Sequence, residues 1–306
     1  MNVPESDLHL VGAADDRYAR HLGAALLSAV SHLPPEVRAH CHVIDGGLGA
    51  ENRDLLARTV AAGRATLHWI GLERHLLRGA RAGGHLSAAT YCKVLVPELL
   101  GPLPGEKALY LDCDVIVTGD LSPLWKADLA GFALAAIADI GGEARKRALS
   151  IPGHLPYFNA GVLLFNLKKW REEGLSDKVM AYAAKHRERL VFHDQDALNA
   201  VLHRDWLELP AEWNVQTNML ARSCRGTRPP RPMLIHYTGA SKPWHYDNVH
   251  PYKGEYEAYS RLTAWQPQRP KPTITGVAKR AIKRLLPGAA LEWVLKEKDR
   301  WAQAFK

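Results

Sequence analysis

The 306-residue chain, 47% hydrophobic with a net charge of +8, is long enough for one large domain around a substantial core. Its basicity sits in the tail: residues 266–306 hold ten Lys/Arg against three Asp/Glu, a net +7, which leaves a body near neutrality and excludes an extended nucleic-acid-binding surface there. No apolar run is long enough to cross a bilayer, no basic-then-apolar leader opens the chain, and Cys41, Cys92, Cys113 and Cys224 have neither zinc-ligand nor redox spacing, so the expectation is a cytoplasmic protein with reduced thiols.

In chain order, residues 8–14 read as a first strand ending at Asp15-Asp16. Leu22, Leu26, Ala29, Val30 and Leu33 recur at helical spacing over 18–33, and Pro34-Pro35 stops that helix. A strand at 41–44, a helix at 51–62 and a strand at 65–72 follow. This alternation predicts an α/β fold with a mostly parallel sheet and ligands beyond the carboxyl ends of its strands. Residues 78–84, with three glycines and two arginines, read as a loop before a helix over 85–100. Residues 108–117 read as one buried strand, on which alternation turns Asp112 and Asp114 to the same face. Two carboxylates on an otherwise apolar strand are costly without compensation, and a divalent cation with oxygen ligands is the simplest one. The competing reading is a pair of solvated aspartates at a strand end.

Further along, 132–138 predicts a strand ending at Asp139, 140–156 a long polar loop, and 157–167 a buried strand. Two amphipathic stretches, 176–190 and 194–202, precede short strands at 206–209 and 233–237, with a basic, proline-rich loop at 221–232 between them. His236 follows the apolar run Met233-Leu234-Ile235 and so lies at a strand end, where its nitrogen would favour Mn²⁺ over Mg²⁺. Residues 261–273 read as a Pro- and Gln-rich linker. Beyond it Lys279, Arg280, Lys283 and Arg284 flank Val277, Ile282, Leu285 and Leu286, and a second amphipathic segment carries Trp293 and Trp301. Such a tail suits an anionic membrane interface, so the expected division is a globular unit over 1–260 and a linker with a basic helical tail over 261–306, peripheral on the inner membrane face.

Five stretches, in order, resemble the retaining glycosyltransferases of family 8, in particular the bacterial galactosyl- and glucosyltransferases of lipopolysaccharide synthesis, with glycogenin a relative. They are residues 13–18, 110–117, 158–164, 193–196 and 236–245. The resemblance implies a single Rossmann-like nucleotide-sugar-binding domain of GT-A type. It implies a UDP-hexose donor, UDP-galactose or UDP-glucose, and a glycan or glycolipid acceptor. It also implies a metal, Mn²⁺ or Mg²⁺, held by Asp112, Asp114 and His236. On the same basis Asp15 bonds the base in a pocket lined by Ala13, and Lys242, three residues after Gly239, covers the diphosphate. Asp139 and Asp194 accept from the sugar hydroxyls and Asn159, beside Ala160, donates to them. Gln195 sits at the anomeric centre with Asp194 as the competing nucleophile, and His85 and Cys113 complete the donor contacts. Asp16 is left as the helix cap.

Departures from the pattern are two further donor contacts: Arg17, where the family usually has a small polar residue, which would reach the diphosphate or else point to solvent, and Lys93, which stands where the family often has an arginine gripping donor and sugar and so loses the bidentate fork. The stretches 140–156 and 213–232, which would frame the acceptor, do not match closely. The alternatives are a haloacid-dehalogenase-like phosphohydrolase and a nucleotide-sugar-binding module without turnover. The first is disfavoured by the two strand–helix units ahead of Asp112 and by the unexplained His236, Gly239 and Lys242 spacing; the second by the intact metal and diphosphate groups.

Overall fold

The structure, a computed structural model, describes residues 7–71, 91–223 and 231–267, together with Pro272 and Val277. His85, the glycine–arginine loop at 78–84 and the tail from 278 lie outside the described residues. The first half follows the expected alternation: β1 (Asp7–Ala14), α1 (Ala19–Ser31), β2 (Arg38–Asp45), α2 (Ala50–Ala62) and β3 (Thr66–Gly71). Of the helix expected at 85–100, the described residues 91–100 are helical throughout: Tyr91, a 3-10 turn at Cys92–Leu95 and α3 (Val96–Leu100), with Pro97 in its first turn.

The expected single strand over 108–117 is two strands. β4 (Lys107–Leu111) belongs to the main sheet, and β5 (Val115–Val117) belongs to a second one. The shared-face argument for Asp112 and Asp114 therefore fails: neither lies in a strand, and the chain changes sheets at residues 112–114. Asp112 N still donates to Gly161 O (2.9 Å), while Asp114 O accepts from Tyr237 N (3.0 Å), so each aspartate is anchored to a different sheet.

After α4 (Ser122–Trp125) come β6 (Leu134–Ala138), α5 (Glu143–Lys146), β7 (Phe158–Asn166), α6 (Leu167–Glu172), α7 (Leu175–Lys185), α8 (His193–Leu202), β8 (Trp206–Glu208), β9 (Val215–Gln216), α9 (Thr217–Ser223), β10 (Leu234–His236) and α10 (Lys253–Leu262). The loop expected at 140–156 thus carries a turn of helix. The main sheet runs β3-β2-β1-β4-β7-β6-β8, parallel except where β7 runs against both β4 and β6. The small sheet runs β5-β10-β9.

Alternation along β1 sends Leu8 and Leu10 into the core under α1, and Val11 into the core on the opposite face. The presumed linker begins inside the fold. α10 continues through Leu262, and Trp265 is 8% exposed, its Nε1 donating to Asn52 Oδ1 at 2.9 Å. A Cβ on Gly23 would stand 2.7 Å from the Trp265 ring, so glycine is what admits the indole. No helix among the described residues is long and apolar enough to cross a membrane.

The other face of β1–β3 carries His9, His40, His42 and His68. His9 Nδ1 lies 3.0 Å from His42 Nε2, and the His42 and His68 rings stack with centroids 4.7 Å apart. Burial, and then the neighbouring imidazoles, lower His9 to about 4 and His42 to about 3. An unfolded histidine binds its proton near pH 6.5, so between that value and about 4 the unfolded chain holds more protons. Stability is expected to be full above pH 6.5 and to fall as pH drops toward 4. Thermal unfolding followed from pH 7 to pH 5 checks this: the midpoint should drop, His42→Gln should flatten the dependence, and a midpoint that rises on acidification contradicts it.

Candidate active site

The functional side chains gather beyond the carboxyl ends of β1, β4 and β6, where β7 enters and β10 ends. Asp112, Asp114 and His236 each present one ligand atom, all within 4.8 Å of one another. His236 Nε2 is 3.3 Å from Asp114 Oδ1. On its other side His236 Nδ1 is 3.0 Å from Asn214 Oδ1. With a cation between His236 and Asp114, a neutral ring would donate from Nδ1 to that amide oxygen and offer its Nε2 lone pair to the ion. Two electron-rich atoms about 3 Å apart match adjacent ligands on one ion with bonds of about 2.0–2.2 Å. The residues present therefore fit a divalent cation.

Gly161 makes the room. A Cβ built on it would stand 2.2 Å from His236 Cε1 and 2.9 Å from Asp112 Oδ2. Gly161→Ala is expected to keep the fold and weaken manganese binding about 10- to 100-fold by pushing His236 off Asp112. Titration of Mn²⁺ followed by electron paramagnetic resonance checks it, and wild-type affinity in the alanine variant contradicts it.

Lysines flank both carboxylates. Lys242 Nζ pairs with Asp114 Oδ2 and donates to Tyr237 O at 2.8 Å. Burial works against charge on Asp114, but His236 and Lys242, by charge and hydrogen bonding, hold its carboxyl well below the usual range. Gly239, at φ +88°, shapes the turn that brings Lys242 back; an L side chain would be strained there. Lys93 is 7% exposed and lies between Asp112 (3.0 Å) and Asp194 (3.1 Å), with a third bond to Ala160 O at 3.1 Å. Its three protons all have protein acceptors, so it acts here as a strut between two carboxylates. Burial opposes its charge, yet the two aspartates raise its pKa above the ordinary lysine value. Asp194, raised by burial, is steadied by the same lysine. Tyr110 donates to Asp112 Oδ1 at 2.9 Å. Between the two aspartates, the Cys113 thiol is held far up by burial and then by Asp114 and Asp112.

Next to the carboxylates lies a platform of amides. Gln195 Oε1 accepts from Ala160 N (3.0 Å) and Asn159 Nδ2 (3.2 Å), while its Nε2 donates to Asp139 Oδ2 (3.0 Å). The other Asp139 oxygen accepts from Gly141 N (2.8 Å) and Asn218 Nδ2 (3.2 Å). Asn214, fully buried, donates to Asn159 Oδ1 at 3.0 Å and so links His236 to this platform. Sequence reasoning missed Asn214, Asn218 and Tyr110. The available signal was the run Asn214-Val215-Gln216 beside Trp213, with carboxamides inside an apolar stretch.

At the end of β1 the cap expected of Asp16 is not formed, and no side chain caps α1. The Asp15 carboxylate, through Oδ1, accepts from Arg17 N (3.0 Å) and Tyr18 N (3.2 Å), in the turn that leads into α1. Asp16 reaches across to the next loop, accepting from Gly49 N (2.7 Å) and Asn52 Nδ2 (2.9 Å). The reason is position: three residues separate Asp15 from the start of α1, so its oxygen meets the amides of the turn, while Asp16 points away toward α2. Ala13 is half-buried at the strand end, and Arg17 is exposed. A cavity of about 500 Å³ between Leu8, Val37 and Trp125 opens at the opposite, amino end of the strands, away from all these groups.

Residues 9–248 match the family model described as glycosyl transferase family 8. General stress protein A of Bacillus subtilis (strain 168) is 32% identical over 270 residues, 84% of this chain and 94% of that protein. Lipopolysaccharide 1,2-glucosyltransferase of Escherichia coli (strain K12) is 32% identical over 195 residues, 60% of this chain and 57% of that one. Among solved structures, galactosyltransferase LgtC in complex with donor and acceptor sugar analogues has a TM-score of 0.75 at 28% identity, covering 86% of this chain and 98% of that one. A GT-A fold with the carboxylate–histidine cluster at the sheet switch, and a family match over most of its length, make this chain a glycosyltransferase of family 8.

Proposed function

We propose that this chain moves a hexose from UDP-galactose or UDP-glucose to a glycan or glycolipid acceptor, with retention of the donor's α configuration and with a divalent cation, Mn²⁺ in preference to Mg²⁺. The observation that carries the reading is the convergence of Asp112, Asp114 and His236 beside Lys242 and the Gln195 platform. Support for a hexose and a glycan comes from the relative named as a lipopolysaccharide glucosyltransferase and from the galactosyltransferase neighbour.

When bound, the cation supplies positive charge at the leaving diphosphate. Asp112, Asp114 and His236 hold it, and the imidazole favours manganese. Lys242 lies where it trades Asp114 for a phosphate oxygen of the leaving group. Asp15 keeps its second oxygen for the base, in a pocket with Ala13, and Arg17 is free in solvent to meet a phosphate. Asp139 and Asn159 face the sugar hydroxyls. For retention by double displacement a free carboxylate is needed at the anomeric carbon. Asp194 is pinned by Lys93 and Gln195 is a neutral amide locked by Ala160 and Asp139, so front-face displacement is the better account. The phosphohydrolase alternative falls with family membership. A panel of UDP-sugars with Mn²⁺, read as UDP release, tests the reading: one UDP-hexose should stand out, and release from none of them overturns it.

The tail is assigned to an anionic membrane surface, and the catalytic unit is placed as far as Trp265, since that side chain packs on α1 and α2. Each basic residue near an anionic surface contributes about 1 kcal/mol before screening. The full chain should sediment with anionic liposomes and be released by high salt. A chain ending at Pro267 should stay folded, keep UDP-sugar turnover and remain in the supernatant. Equal sedimentation of both chains contradicts the assignment.

A further inference from the structure

Asp196 is the one acid of the His193-Asp194-Gln195-Asp196 run that the mechanism above does not use, and it is fully buried. Its Oδ1 accepts from Tyr157 Oη at 2.8 Å, and its Oδ2 from Val191 N at 2.7 Å and Phe192 N at 2.8 Å. Arg145 closes the set, its Nη2 3.1 Å from Oδ2 and its Nε 3.3 Å from both oxygens. The same guanidinium donates to Arg189 O. Asp196 lies in the first turn of α8 and reaches back to the two amides that precede the helix, as the acid of a capping box does. The turn it holds is strained: His193, next to Asp194, has φ +42°. Asn199, one turn on, accepts from Phe158 N (2.7 Å) and donates to Phe158 O (2.8 Å), which fixes the far side of the helix to β7.

Arg145 does not come from α8 or from the metal-holding elements. It comes from α5, in the segment between β6 and β7, and that segment packs closely on Tyr157: a Cβ on Gly142, next to α5, would stand 2.0 Å from the tyrosine ring. A charged pair buried this deeply costs desolvation, and its return here is fixed geometry. We propose that Arg145, Tyr157 and Asp196 are positioning residues for Gln195: they set the first turn of α8 from the segment 140–156, so that the Gln195 amide meets the reacting sugar. The inference rests on the role proposed above for Gln195. Cation and diphosphate binding use Asp112, Asp114, His236 and Lys242, none of which touches the three.

Tyr157→Phe, Arg145→Gln and Arg145→Lys test this, the conservative variants guarding against loss of the fold. In the first two, affinity for UDP with Mn²⁺ and the KM for UDP-hexose should stay within about threefold, while kcat falls about 10- to 100-fold. Arg145→Lys should recover part of kcat. Hydrogen exchange should quicken within 190–196, at Val191 and Phe192 above all, and nowhere else. If kcat, UDP affinity and the melting temperature fall together, or if kcat does not change in Tyr157→Phe and Arg145→Gln, the proposal is overturned. If the wild type turns over no UDP-hexose, the proposed function fails, and exchange then decides for the cluster: loss of protection confined to 190–196 supports it, and global loss contradicts it.

Discussion

Asp114→Asn should remove manganese-dependent UDP binding, with a loss of about 100-fold or more in affinity, while the protein still folds. Both oxygens of this carboxylate are engaged, with His236 Nε2 beside Oδ1 and the Lys242 ammonium on Oδ2. An amide keeps the shape and can still accept from Lys242, but it carries no charge and is a poor ligand for a hard cation. A loss of about 100-fold is about 2.7 kcal/mol, modest for one anionic ligand in a half-buried site. Calorimetric titration of UDP in the presence of Mn²⁺, with circular dichroism to show the fold, checks it. Asp112→Asn should behave alike and also loosen Lys93, which would keep Asp194 as its only carboxylate partner among those it now bridges. Retained affinity in Asp114→Asn would remove the aspartate from the cation site.

Gln195→Ala should lower kcat by about 100- to 1,000-fold and change the KM for UDP-hexose by no more than about threefold. Its amide is aimed by three partners, Ala160 N, Asn159 Nδ2 and Asp139 Oδ2, and a group so fixed contributes most where charge develops. Removing it leaves the cation and diphosphate groups intact, which is why affinity should hold. It also takes one of two donors from Asp139 Oδ2, which keeps Asn159 Nδ2 at 3.3 Å, and leaves the Ala160 amide without its acceptor, so a small shift in stability is expected alongside. Steady-state kinetics with each UDP-hexose, and the anomeric configuration of the product by NMR, check the assignment together. A KM that rises as far as kcat falls would place Gln195 in ground-state binding, and a β-linked product would rule out retention.

The first βαβαβ stretch was legible because its apolar periods are clean and its breaks are marked by Pro34-Pro35 and Asp45-Gly46-Gly47. The pairing of Asp112 with Asp114 was legible as chemistry and misread as geometry. A period of two cannot reveal a strand that changes sheets halfway, because both halves are buried and apolar. Asp16 fails as the cap for a related reason: the cap depends on where the first helical turn begins, and a small shift turns a carboxylate toward another loop. Lys93 read as a donor contact because sequence shows its charge and not its three protein acceptors. Asn214 was invisible as a site residue, since carboxamides carry no charge and its partners, His236 and Asn159, are 22 and 55 positions away along the chain. The docking of Trp265 was hidden by the Pro- and Gln-rich composition around it, which says nothing about one indole against Gly23.

Titration of UDP into the metal-stripped wild-type chain, and then into the same chain with Mn²⁺, tests the central claim most directly. If Asp112, Asp114 and His236 hold a cation that grips the donor diphosphate, manganese should tighten UDP by about 100-fold or more, magnesium less, and EDTA should reverse the gain. Equal UDP affinity with and without the metal would contradict the account.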